Sequence, residues 1–126
     1  MSDNTPGSRP ERQLIEAYGA GQFRIGGVTV TGSVIVFPDH TTPWNVSTYE
    51  DISTESLSAV GDVYEAVEVL LIGCGGRMGM PHRDIKEFLS GFGIVPDWMD
   101  TGAACRTFNG LVSEDRAVAA ALISVE

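Results

Sequence analysis

The chain has little of what would announce a chemistry. Only two of its 126 residues are cysteine, Cys74 and Cys105, and neither belongs to a CxxC pair or to a Cys/His ligand spacing. A disulfide framework is thereby excluded, zinc is disfavoured, and no metal site is expected. Positive charge is scarce as well, with 8 Lys and Arg against 17 Asp and Glu and a net charge of -9. A field of that sign repels duplex nucleic acid and anionic lipid, so no nucleic-acid partner is expected. By itself the acidic balance reads as a solvated surface. No apolar run approaches the roughly 20 residues of a membrane-spanning helix, so no direct membrane insertion is expected. The opening MSDNTPGSRPERQ is polar, without the apolar stretch and cleavage pattern of a secretory signal or the Arg/Ser composition of a transit peptide. The expectation is a cytoplasmic protein with reduced thiols.

What is present suffices for one core. At 126 residues, 43% of them apolar, the chain fits one domain. Residues 1–12 mix Ser, Asp, Asn, Pro, Gly and Arg and read as a disordered tail, leaving residues 13–126 as the folded unit. Phe23 and Ile25 alternate before Gly26-Gly27, and Val28 and Val30 alternate after it, which reads as a β-hairpin feeding the apolar block Val34 to Phe37. Gly32 marks a bulge or bend. Pro38 and Asp39 stop that strand, and Thr42 to Val46 offers a short edge segment.

Farther along, Ser53 to Ser56 opens a short helix through about Val63, with Leu57 and Val60 on its buried side. Val67 to Ile72 is nearly unbroken apolar sequence, as in a strand covered on both faces. Pro81 sits at a helix start, with Ile85, Phe88 and Leu89 at i, i+3, i+4 spacing and Gly91 to Gly93 at its end. Ile94 to Met99 follows as a strand, Thr101 starts a helix carrying Ala104, Phe108 and Leu111, and RAVAAALISV supplies a last strand. Helices and strands alternating in this way predict an α/β fold with a mixed or mostly parallel sheet.

Two segments stand out as candidate working surfaces. The first is VLLIGCGGRMGMP, from Val69 to Pro81, where a buried strand meets a glycine loop. Gly73 and Gly75 fit a dinucleotide fingerprint, but Met78 stands where the third glycine is needed, and no GxxxxGK[ST] phosphate loop is present. GCGGRMG resembles the nucleotide loop of dihydrodipicolinate reductases, but there the loop opens a two-domain chain. No cofactor is therefore assigned. Gly73, Gly75, Gly76 and Gly79 permit positive φ or close backbone approach, and Arg77 is placed to meet an anion or a partner carboxylate. The same glycines equally suit a plain strand-to-helix turn.

The second segment is WMDTGAACRTFNGL, from Trp98 to Leu111. Asp100 and Thr101-Gly102 open a helix whose N–H groups suit an anion, or whose first turn Asp100 or Thr101 simply caps. Arg106 is placed to reach Asp100, or to join Arg77 around one pocket, or to lie on the surface. Cys105 sits among small apolar residues and reads as core. Cys74, on the loop near Arg77 and with His82 downstream, is the better candidate for reactivity.

Three ordered segments, FRI…GSVIVFP, VLLIGCGGRMGMP and MDTGAACRTFNGLVSEDRAVAAALI, together resemble domain-of-unknown-function family 498, the Mth938-like domains. The resemblance covers about Gln13 to Val125. It implies a three-layer α/β fold with a mixed central sheet, helices and an additional β-hairpin. No catalytic residue set or cofactor comes with it. Members of the family include a mitochondrial factor that helps to build respiratory complex I. The resemblance therefore implies a non-enzymatic assembly or interaction module, with a protein partner among respiratory-complex or membrane-biogenesis components. The competing expectation is a small-molecule site, enzymatic or sensory, holding an anionic ligand or nucleotide between the glycine loop and the Thr101 helix start. In total the candidate binding residues are Gly73, Cys74, Gly75, Gly76, Arg77, Asp100, Thr101, Gly102 and Arg106, none of them assigned a catalytic role.

Overall fold

The computed structural model describes residues 13–76 and 81–126. The expected tail, Arg77 and the Met78 to Met80 stretch therefore lie outside the described residues.

Three short strands, β1 (Ile15–Gly19), β2 (Gln22–Ile25) and β3 (Val28–Thr31), form an antiparallel sheet in the order β1-β2-β3. The β2–β3 hairpin closes on Gly26 and Gly27 with φ of +56° and +83°. Two successive positive φ values match the right-handed twist of the flanking strands and are accessible to glycine at little cost. Gly32, with φ +89°, then bends the chain out of this sheet into the next strand, β4 (Val34–Val36). The sequence signals for a hairpin, a bend and a following strand are all realised. β1 was not legible, because a strand with only Ile15 buried carries little alternation.

The second sheet has five strands. It combines β4 with β5 (Thr41–Pro43), β6 (Val69–Gly73), β7 (Val95–Met99) and β8 (Val118–Leu122) in the order β5-β4-β8-β6-β7. β4 is antiparallel to both β5 and β8, whereas β6 is parallel to both β7 and β8. The sheet is mixed, and Pro43 lies on an edge strand, where a residue lacking an N–H is tolerated.

Side chains leaving alternate faces of this sheet build two cores. Ile35, Phe37, Leu70, Ile72, Ala119, Ala121 and Ile123 pack on one face with Leu57 and Val60, and with Ile85 and Leu89. Leu57 ends a 3-10 turn that leads into helix α1 (Ser58–Asp62), and Ile85 and Leu89 belong to α2 (Arg83–Ser90). Val34, Val36, Leu71, Val118, Ala120 and Leu122 pack on the other face with Ala104, Cys105, Phe108 and Val112 of α3 (Thr101–Ser113) and with Ile15, Phe23 and Ile25 of the small sheet. The result is three layers, with helices on both faces of the mixed sheet and the β-hairpin added on the α3 side. Burying Phe108 alone is worth about 2–3 kcal/mol.

This wiring sends α2 to one face after β6 and α3 to the opposite face after β7. The carboxyl ends of the parallel strands β6, β7 and β8 then lie together at one rim, the usual place for a site in an α/β sheet.

Candidate functional site

At that rim the last residue of β6 is a glycine for a steric reason. A Cβ on Gly73 would lie 3.0 Å from Leu122 Cδ2, 3.0 Å from the Thr101 Cα and 3.0 Å from its Oγ1. The absent side chain lets the first turn of α3 rest directly on the strand end. Gly75, with φ +89°, then turns the chain away.

Thr101, fully buried, ties the three converging ends together. Its main-chain N–H donates to Gly75 O at 2.8 Å, its Oγ1 accepts from Gly75 N–H at 3.0 Å, and its hydroxyl donates to Ile123 O at 2.7 Å. Cys74 N–H donates to Met99 O at 2.8 Å and Ile123 N–H to Gly73 O at 3.0 Å, which completes the seam. Asp100, not Thr101, is the helix cap, with its Oδ1 accepting from Ala103 N–H at 2.8 Å. The N–H groups of Thr101, Ala103 and Ala104 are thus engaged within the fold, which leaves little of the α3 start for an anion.

Above the seam lies a cleft of about 750 Å³, open to solvent and lined by Ser47 to Glu50, Cys74 to Gly76 and Ile123 to Glu126. Beside it three rings meet. His82 stacks on Trp98 with centroids 5.5 Å apart and planes 6° apart, and Tyr49 meets His82 edge-on at 4.7 Å and Trp98 at 6.3 Å. All three rings are half-buried, so one flank of this cluster faces solvent.

The candidate residues therefore divide. Gly73 to Gly76 and Thr101 join in one seam, and Cys74, Gly75 and Gly76 reach the cleft. Asp100, Thr101, Gly102 and Arg106 do not line it. Arg106 turns to the small sheet, where its Nη1 donates to the Tyr18 hydroxyl at 3.3 Å. Gly102 makes room for the same tyrosine, since a Cβ there would fall 2.7 Å from Tyr18 Oη. A pocket in which Arg106 meets the glycine loop is not formed by the described residues. The Met78 and Met80 surface falls outside them.

Both cysteines are thiols in buried settings. Burial pushes the Cys105 thiol up to about 12, against a smaller opposite pull from Arg106. Such a thiol is a core group and a poor nucleophile. Cys74, also buried, has its Sγ 3.6 Å from Ile72 O, at the floor of the cleft. Among the described residues no three His, Cys, Asp or Glu side chains gather as a metal site, and no helix is long and apolar enough to cross a membrane. Sequence reasoning missed Tyr18 and the Tyr49–His82–Trp98 cluster, whose members come from separate elements with no local spacing to connect them.

Comparison with known proteins agrees with this architecture. The chain is 41% identical over 113 residues to NADH dehydrogenase [ubiquinone] 1 alpha subcomplex assembly factor 3 of Xenopus tropicalis, covering 90% of this chain and 62% of that protein. It thus spans less than two thirds of that relative's length. Among solved structures, an outer membrane protein from Bartonella henselae superposes with a TM-score of 0.87 at 39% identity, over 93% of this chain and 98% of the other. A Bordetella pertussis protein described as an Mth938-like domain superposes with a TM-score of 0.80 at 25% identity, over 93% and 90%. A family model described as "Protein of unknown function (DUF498/DUF598)" matches residues 15–123, nearly the whole described fold, and the chain belongs to that family.

Proposed function

We propose that this chain is a non-enzymatic interaction module that acts in the assembly of a respiratory NADH dehydrogenase. The observation that carries the reading is the 41% identity with an assembly factor over nine-tenths of this chain. The working surface in this proposal is the rim at the carboxyl ends of β6 and β8, comprising Gly73 to Gly76, the adjoining cleft and the exposed flank of the Tyr49–His82–Trp98 cluster. Asp100 to Gly102 support it from beneath. Partly exposed aromatic rings beside a glycine-rich main chain suit a partner polypeptide, because rigid aromatics supply contact area at low entropic cost.

The anionic-ligand alternative draws less support from the geometry. A cleft of about 750 Å³ is within the range of small-molecule sites. Its charged lining among the described residues, however, is Glu50 and Glu126, and Arg106 lies elsewhere.

The test is quantitative affinity capture from the native host with wild-type protein, Trp98→Ala and Tyr49→Ala. The proposal expects respiratory or membrane-biogenesis proteins to be recovered with wild type and to fall at least about tenfold with the ring variants, the equivalent of one hot-spot contact. Recovery of none of them above background, together with thermal stabilisation by a nucleotide or carboxylate, would replace this reading with the ligand-binding one.

A further inference from the structure

The two sheets of the described residues have four edges, and three of them carry a proline or a side chain that blunts them. At the β5 edge, the hydrogen bonds Phe37 N–H to His40 O and Trp44 N–H to Ser33 O set the phase of the β4–β5 ladder. Thr41 and Pro43 consequently turn their main-chain groups outward, and Pro43 has no N–H to offer. At the opposite edge, Val95 N–H to Glu68 O and Cys74 N–H to Met99 O set the phase of the β6–β7 ladder. There Pro96 points outward, again without a donor. On the small sheet, Asn109 of α3 occupies the β1 edge, accepting from Ile15 N–H at 2.8 Å and donating to Ile15 O at 2.8 Å. Proline and side-chain cover are standard ways of blunting an edge against further pairing.

Among the described residues the β3 edge has none of these devices. Gly32 N–H to Gly21 O at 2.8 Å sets the phase of the β2–β3 hairpin. With the register Phe23↔Val30 and Ile25↔Val28, those pairs exchange the ladder hydrogen bonds. The N–H and C=O of Thr29 and Thr31 therefore face away from β2, and no described residue takes them up. The strand is Val-Thr-Val-Thr, all β-branched and uncharged, and Val28 is 61% exposed although its cross-strand partner Ile25 is buried.

We propose that β3 is the edge at which two copies of this chain pair, antiparallel, about a twofold axis at Val30. The register follows from the free groups. An axis at Val30 sets Thr29 opposite Thr31 of the other copy and Thr31 opposite its Thr29, so all four outward groups of each strand are satisfied. An axis at Thr29 would instead oppose Thr31 to Gly27, whose N–H is already held by Glu16 Oε1 at 2.8 Å. With the axis at Val30, the two Val30 side chains meet as a non-hydrogen-bonded pair on the core face, where Cα atoms approach to about 4.5 Å. Two three-stranded sheets become one of six.

The self-complementary register of Thr29 and Thr31 favours a second copy as the occupant, and the local charge permits it. The chain carries -9, yet from Ala17 to Pro38 it has no Asp or Glu and one basic residue, Arg24, which pairs with Glu16 at 3.4 Å. It is the longest stretch of the chain without an acidic residue, so a second acidic molecule meets little like charge at this edge. A four-residue strand is a small interface, so the dimer is weak and concentration-dependent. The inference is independent of the proposed assembly role.

Sedimentation equilibrium of the full chain, from about 10 μM to about 1 mM, is the experiment. It should show reversible monomer–dimer exchange, and Thr29→Pro, which copies the device found at Pro43 and Pro96, should weaken it at least about tenfold while leaving the circular dichroism unchanged. Under mild oxidation, Val30→Cys should cross-link the two copies and Thr29→Cys should not, because only position 30 faces itself across the axis. This pair of variants decides the matter even where Thr29→Pro impairs folding. A chain that stays monomeric throughout overturns the proposal, leaving the edge to residues 1–12 or to a strand of another protein. A dimer indifferent to Thr29→Pro, or equal cross-linking at both positions, overturns it too.

Discussion

Replacing Thr101 by valine removes one oxygen and leaves the side chain's shape almost unchanged, which isolates the hydrogen bonds at the rim. In the native seam that oxygen donates to Ile123 O at 2.7 Å and accepts from Gly75 N–H at 3.0 Å, in a side chain with no exposed surface. Two net hydrogen bonds are worth about 1 kcal/mol each. Ile123 is itself buried, so its carbonyl, left without this donor, adds a desolvation cost of about 1–2 kcal/mol. The expected loss is about 3–4 kcal/mol, or about 9–16 °C in Tm for a chain of this size. Thr101→Ser keeps the hydroxyl and loses only a buried methyl, for about 1 kcal/mol. Urea unfolding followed by tryptophan fluorescence measures both. If valine costs no more than serine, Thr101 does not hold the rim together and the structural account of the glycine loop fails with it.

Gly73→Ala should cost about 1–3 kcal/mol, because its Cβ would press on the Thr101 backbone, whereas Gly102→Ala should cost under about 1 kcal/mol, because it meets the swingable end of an exposed Tyr18; paired thermal melts compare them. Asp100→Ala removes the cap on Ala103 N–H and should lose about 1 kcal/mol, read from the urea midpoint. The Cys105 thiol is held up to about 12 from an ordinary 9.0, so the unfolded chain ionises first on raising the pH. Native stability from this group is therefore intact below about pH 9 and declines between about pH 9 and 12, and Cys105→Ala should flatten that part of an alkaline stability curve. An unchanged slope in the variant would show that the burial of this thiol does not govern the effect.

Much of the fold was legible because its signals are local. The run Val67 to Ile72 needs two covered faces, and β6 has them. Gly26-Gly27 needs only its own φ values, and α2 needs only the spacing of Ile85 and Leu89. β1 was missed because four of its five residues are not buried, so no alternation marks it. That single omission also hid part of the site. Arg106 bonds to Tyr18 on β1, and without β1 its natural partners were Asp100 or Arg77. The glycines were identified by position, but their reasons were not local. Gly73 is small because Thr101 lies on it, and this depends on three chain ends, far apart in sequence, arriving at one rim. The ring cluster of Tyr49, His82 and Trp98 likewise exists only after the sheet and α2 have been assembled.

The central claim is that this fold serves assembly of a respiratory NADH dehydrogenase, and native-gel analysis of membranes from a deletion strain tests it most directly. The account predicts that in-gel NADH dehydrogenase activity at the size of the full complex falls, that subassemblies accumulate, and that wild-type protein restores the complex while the Trp98→Ala variant restores it poorly. A full complement of assembled, active enzyme in the deletion strain would contradict it.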